Sequence, residues 1–220
     1  MPVKTIAKMV MAFGGAALWF AALTSPGQAQ APVKIVALGD SLTAGFGLPP
    51  AAAFPARLQA ALAAKGIMAE IVNAGASGDT ASGGLSRLDW SVPEGTEAVI
   101  LELGANDALR GSDPNVTRQA LDAILRRLKE RRIEVLFAGM RAPRNMGADY
   151  VAAFDRIFPE LAAAHDVMFY PFFLEGVARE STLNQQDGIH PTARGIDIIV
   201  ERILPKAEEL IARVKAKRGS

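Results

Sequence analysis

Residues 33–45 read VKIVALGDSLTAG: a largely apolar run from Val33 to Leu38 that stops at Gly39-Asp40-Ser41. A short apolar run bounded by turn residues is the pattern of a buried strand. Four more follow, at 70–73 (EIVN), 98–103 (AVILEL), 134–138 (EVLFA) and 167–170 (VMFY). Helical patterns separate them. Over 53–65, Phe54, Leu58 and Leu62 recur at spacing four. A short helix is predicted at 82–90. A longer one at 114–131 has Pro114 in its first turn and Val116, Ala120, Ile124 and Leu128 facing inward. A helix at 148–164 carries Val151, Phe154, Phe158 and Leu161 on one face, and the last spans 192–215 with a kink at Pro205. Strand and helix in alternation imply a parallel sheet covered on both faces. The predicted fold is a three-layer α/β/α domain whose five parallel strands lie in the order 2-1-3-4-5. Such sheets bind ligands at the carboxyl ends of their strands, near the switch point between strands 1 and 3.

Composition narrows the partners. The chain has 220 residues, half of them hydrophobic and 21% charged, with a formal net charge of +1. That suits one compact domain with a full core. Residues 1–29 read as a secretory signal peptide: Lys4 and Lys8, an apolar run from Met9 to Leu23, then a polar, turn-prone stretch ending at Ala29. The apolar run falls short of the roughly 20 residues of a membrane span. Cleavage is expected after Ala29, releasing residues 30–220 as a single domain to the periplasm or the medium. The released chain would carry 22 basic and 23 acidic residues. That balance gives no reason to expect nucleic acid or an anionic membrane as partner. There is no cysteine, hence no disulfide, thiolate metal site or cysteine nucleophile. Two histidines at positions 165 and 190 do not make a zinc centre, so neither metal nor cofactor is expected.

The unusual residues follow the strands. Gly39-Asp40-Ser41-Leu42 comes after the first, Asn73-Ala74-Gly75-Ala76-Ser77-Gly78 after the second and Gly104-Ala105-Asn106-Asp107 after the third. Asp187-Gly188-Ile189-His190-Pro191 comes well after the fifth. These four blocks resemble, in order and separation, the signature blocks of the SGNH (GDSL) hydrolases, over essentially the whole chain from Val33 on. The forms GDSLTAGFGL, GANDALRG and DGIHPT resemble the branch of bacterial arylesterases and exported thioesterase/lysophospholipases. The resemblance implies Ser41 as nucleophile, His190 as base and Asp187 as its orienting partner. Gly75, Asn106 and the Ser41 backbone would form the oxyanion hole. It also leads to a proline being expected near position 144, where Arg144 stands.

Elementary chemistry agrees with each role. A serine hydroxyl needs a base to become a nucleophile. A helix-capping serine in a phosphate loop is the bland alternative. No G-x-G-x-x-G or G-x-x-x-x-G-K-[ST] follows the first strand, which disfavours it. An oxyanion needs fixed donors, which a glycine N–H and an asparagine amide supply; alone, Asn106 would read as a turn residue. His165 falls just before the fifth strand, at the wrong edge, and reads as a helix C-terminal residue. His190 has Asp187 three residues earlier to fix its tautomer. Phe46, Leu109, Arg141, Pro143, Arg144 and Met146 are candidates for the substrate pocket. The expected activity is hydrolysis of small-molecule or lipid-like acyl esters: aryl esters, thioesters or lysophospholipids. A carbohydrate O-deacetylase of the same family and a non-catalytic flavodoxin-like binding module are the alternatives.

Overall fold

In a computed structural model of the chain, residues 1–3 and 31–219 are described. The leader read from residues 1–29 lies, beyond its first three residues, outside them. The domain from Ala31 onward carries all the regular structure described here.

Strands β1 (Val33–Gly39), β2 (Ala69–Gly75), β3 (Ala98–Glu102), β4 (Glu134–Ala138) and β5 (Met168–Tyr170) form one parallel sheet in the order β2-β1-β3-β4-β5, as the alternation predicts. Register puts Gly39 opposite both Gly75 and Glu102, and Ala138 opposite Glu102 and Tyr170. The strand ends thus form one row, from which the loops of the site rise. β3 is buried along its whole length. The edge strand β2 is not: Ile71 points inward while Val72 is exposed.

Helix α1 (Ser41–Ala44) directly follows β1. On one face α2 (Phe54–Ala64) packs on α9 (Ala193–Arg218), which also covers β4 and β5. The other face carries α3 (Ala81–Ser86), α4 (Leu88–Ser91), α5 (Ala105–Leu109), α6 (Pro114–Glu130), α7 (Ala148–Asp155) and α8 (Ile157–His165), with α6 packed on α3 and α8. Pro205 sits inside α9, which stays one helix to Arg218. Among the described residues, no helix is long and apolar enough to cross a membrane.

Three local expectations change. The single helix of 148–164 is two, α7 and α8, because Pro159 has no N–H for the Asp155 carbonyl and its ring crowds that carbonyl. The helix of 82–90 is likewise split, at Arg87. In α6 the inward stripe runs through Ala120, Leu121, Ile124, Leu125 and Leu128, but Val116 is exposed. Its neighbour Thr117 turns in instead and donates its hydroxyl to Asp107 Oδ1 at 2.9 Å. A buried hydrogen bond thus takes the place that the four-residue spacing gave to a hydrophobe.

Candidate active site

At the end of β1 the chain turns straight into α1. Asp40 caps that helix: its Oδ1 accepts the Leu42 N–H at 2.9 Å. Ser41 is therefore the first helical residue rather than the cap, and α1 ends at Gly45 in the left-handed region, φ 81°. Gly39 is a glycine for lack of room, since a Cβ there would overlap Thr43 Oγ1 and crowd Glu102.

Between β5 and α9 a long loop returns over the strand ends. Gln185 N–H donates to the His190 carbonyl at 2.7 Å, and the Gln185 amide donates to the Phe46 carbonyl at 2.7 Å and to that of Pro191 at 3.0 Å. These bonds tie the histidine loop to the segment after α1. Ser41 Oγ lies 2.9 Å from His190 Nε2, and His190 Nδ1 lies 2.6 Å from Asp187 Oδ2. Asp187 Oδ1 accepts the N–H groups of Ile189 and His190 at 2.9 and 3.0 Å. The imidazole bond and these two backbone donors hold the Asp187 carboxyl down to about 2. It is the anion at neutral pH, fit to receive an Nδ1–H and to leave Nε2 free to take a proton. Against the other side of the imidazole lies Phe46, ring centroids 4.5 Å apart.

The oxyanion candidates divide. Asn106, on the first turn of α5 behind Gly104, donates one amide N–H to Asp40 Oδ2 at 3.1 Å. An amide nitrogen has a second N–H to give. Gly75 has none to spare: its N–H donates to Asn73 Oδ1 at 3.0 Å. It is a glycine because a Cβ would overlap the Ala44 backbone of α1. The expectation of an N–H free at Gly75 is thus corrected. Three residues on, Gly78 takes φ 85°, its N–H has no protein partner among the described residues, and its carbonyl accepts Arg110 Nη2 at 2.8 Å. Arg110 ends α5, so this bond ties Gly78 to the helix that carries Asn106.

A cavity of about 670 Å³ opens at Ser41, Asn106 and His190. Of the substrate-pocket candidates, Leu109, Arg141, Pro143 and Arg144 line it. Phe46 and Met146 are not among its walls; Phe46 packs on the histidine instead. Met140, Phe172, Leu174, Arg179 and Ile189 are walls that sequence reasoning missed. Arg141 lies over the Phe172 ring at 4.7 Å, and Asp155 pins the loop after β4 by accepting the Ala142 N–H and pairing with Arg144, both at 2.8 Å. His165 ends α8, with Nε2 2.7 Å from Asp122 Oδ1, and does not line this cavity.

Also absent from the sequence reading was Arg87. It is buried and donates to the carbonyls of Gly39 and Ala74, both at 2.8 Å, which fixes the ends of β1 and β2 together. It pairs with Asp79 at 2.5 Å.

The GDSL-like Lipase/Acylhydrolase family model matches residues 37–198. Esterase TesA of Pseudomonas aeruginosa PAO1 is 37% identical over 185 residues, which are 84% of this chain and 92% of that protein. Thioesterase 1/protease 1/lysophospholipase L1 of Escherichia coli K12 is 38% identical over 185 residues, 84% of this chain and 88% of the relative. The crystal structure of AlinE4, described as an SGNH-hydrolase family esterase, superposes with TM-score 0.70 at 45% identity, covering 83% of this chain and 98% of that one. A psychrotrophic esterase EstA from Pseudoalteromonas, solved as inhibited by monoethylphosphonate, gives TM-score 0.77 at 27% identity over 81% and 98%.

Proposed function

The chain belongs to the GDSL-like lipase/acylhydrolase family and is a carboxylic ester hydrolase, and we propose that it works through an acyl-enzyme on Ser41, with His190 and Asp187 completing the triad. The observation that carries the reading is the unbroken chain Ser41 Oγ–His190–Asp187 at 2.9 and 2.6 Å. His190 Nε2 takes the Ser41 proton as Oγ attacks the carbonyl carbon. The imidazolium so formed is held by the Asp187 carboxylate. It then protonates the leaving alcohol, phenol or thiol, and water clears the acyl group by the same steps reversed.

The developing oxyanion receives the Ser41 N–H and the second N–H of Asn106. The third donor is the Gly78 N–H rather than that of Gly75, which Asn73 occupies. The acyl chain lies in the cavity, against Leu109, Met140, Phe172 and Ile189. Its volume of about 670 Å³ is within the range for drug-sized ligands, and the apolar side chains of Leu109, Met140, Phe172 and Ile189 along its wall favour a lipid-like acyl chain. Residues 1–29 are read as an export leader, so the reaction is assigned to the periplasm or the medium.

The test is hydrolysis of p-nitrophenyl esters from acetyl to palmitoyl, with Ser41→Ala and Gly78→Ala beside the wild type. The reading expects hydrolysis of medium acyl chains and a loss on the order of 10⁴-fold or more in Ser41→Ala. Activity confined to acetyl would turn the assignment to a deacetylase. No hydrolysis of any ester would leave a binding module.

A further inference from the structure

Beneath the nucleophile lies a carboxyl that this chemistry does not use. Glu102 ends β3, opposite Gly39 in register, and its side chain is wholly buried. Its Oε2 accepts the Thr43 hydroxyl at 2.7 Å and the Asp40 N–H at 3.3 Å. Its Oε1 has no partner among the described residues. No cation pairs with it there: the nearby Arg87 gives its guanidinium to Gly39, Ala74, Ser91 and Asp79. A carboxylate so placed would keep an unscreened charge and one unsatisfied oxygen in apolar surroundings. As the neutral acid it carries no charge: Oε2 is then the carbonyl oxygen that receives both donors, and only the O–H on Oε1 is left without an acceptor, a smaller cost than a buried unpaired charge.

From this packing we infer that Glu102 is a positioning residue, held as the neutral acid, that clamps residues 39–44 so that Ser41 Oγ and, through Asp40, the Asn106 amide keep their attack geometry. The inference rests on the Ser41 reading above. Both donors to Oε2 flank Ser41 in sequence, at 40 and 43, and the Asp40 carboxylate is the acceptor that orients Asn106. One buried oxygen thereby ties the nucleophile turn to β3, and the oxyanion residue hangs from the same turn.

The charged and polar groups facing the pair agree. Burial, then the Asp40 carboxylate, hold Glu102 well above its ordinary range. Burial lifts Asp40 to about 6, opposed by the Leu42 N–H, Asn106 and His190, with Asp107 of α5 adding to the rise. For carboxyls raised by folding, the stabilisation is complete at acid pH and is lost as pH climbs through the raised values. A glutamine at 102 cannot ionise and escapes that loss.

Steady-state kinetics on a p-nitrophenyl ester and thermal unfolding, each across pH 5 to 9, test this on wild type, Glu102→Gln, Glu102→Leu and Thr43→Val. Glu102→Gln is expected to keep kcat within a few-fold, and its unfolding midpoint relative to wild type is expected to rise with pH. Glu102→Leu is expected to lose about 10²-fold in kcat with KM little changed, as a misplaced nucleophile does. Glutamine as damaging as leucine would overturn the inference, because the anion would then be required. A Glu102→Leu enzyme with wild-type kcat would overturn it too. If that variant does not fold, Thr43→Val decides: a several-fold fall in kcat supports the clamp, and an unchanged kcat overturns it. Fluorophosphonate labelling of the wild type keeps the two readings apart. A wild type that does not label removes the nucleophile assignment and the clamp with it. A wild type that labels beside a dead Glu102→Gln removes the clamp alone.

Discussion

Asp187 acts through hydrogen bonds rather than burial. It is exposed, yet three donors converge on its carboxylate, and the imidazole is the strongest of them. Replacing it by asparagine offers an N–H or a carbonyl where only an acceptor is wanted, and so favours the wrong tautomer of His190. Asp187→Asn is expected to lower kcat by roughly 10²–10⁴-fold with KM nearly unchanged, a split that initial-rate kinetics reads directly. The sign of its pH linkage is equally definite. A carboxyl lowered to about 2 contributes stability above the ordinary carboxylate range and loses it as pH falls toward 2. At this scale the sequence is legible wherever identity narrows the choice: with two histidines and one of them three residues after Asp187, His190 is the candidate base. It was illegible wherever a neighbour's side chain decides. Asn73 silences the Gly75 N–H, and nothing in the string NAGASG reveals that bond. Glu102 was passed over because one acid in AVILEL does not disturb the reading of a buried strand.

The elements meet too closely at the strand ends to tolerate added atoms. A Cβ on Gly75 would overlap the Ala44 backbone and crowd the Asp40 carbonyl. Backbone of a capped helix does not yield as a flexible side chain does, so α1 must move and carry Ser41 with it. Gly75→Ala is expected to lower kcat by about 10²-fold and also to lower the unfolding midpoint. An enzyme with wild-type kinetics would show that the approach of α1 to β2 is not critical. The loop after β4 is set by an element behind it. Pro159 breaks the helix after Asp155, and Asp155 then holds Ala142 and Arg144 at the cavity wall. Asp155→Ala is expected to alter the preference among acyl chain lengths more than the rate on the shortest ester, as the p-nitrophenyl series measures. The strand order followed from the alternation of patterns, since few topologies connect such elements. The break at Pro159 was written in the sequence and was outweighed by the apolar stripe running past it.

The whole molecule rests on a sheet buried between two helical layers. Phe137, in the interior strand β4, is fully buried and packs on Phe158 and Phe169 with centroids 5.5 and 6.2 Å away. Phe137→Ala is expected to cost about 3–5 kcal/mol, a fall on the order of 10 °C in the unfolding midpoint for a domain of this size. By contrast Arg218, which bonds Glu97 and the carbonyls of Ala31 and Pro32, is a surface clamp, and Arg218→Ala should cost no more than about 1 kcal/mol. The core holds the strand ends in a row, and the row brings residues 41, 106 and 190 to one cavity. If that arrangement is a hydrolase site, one hydroxyl in the chain must become covalently bound to a phosphonylating probe, with loss of fluoride. Intact-mass and peptide mapping after fluorophosphonate treatment decides the matter. The account predicts a single adduct on Ser41, absent from Ser41→Ala and strongly slowed in His190→Ala. An adduct elsewhere, or ester hydrolysis undiminished in Ser41→Ala, would contradict it.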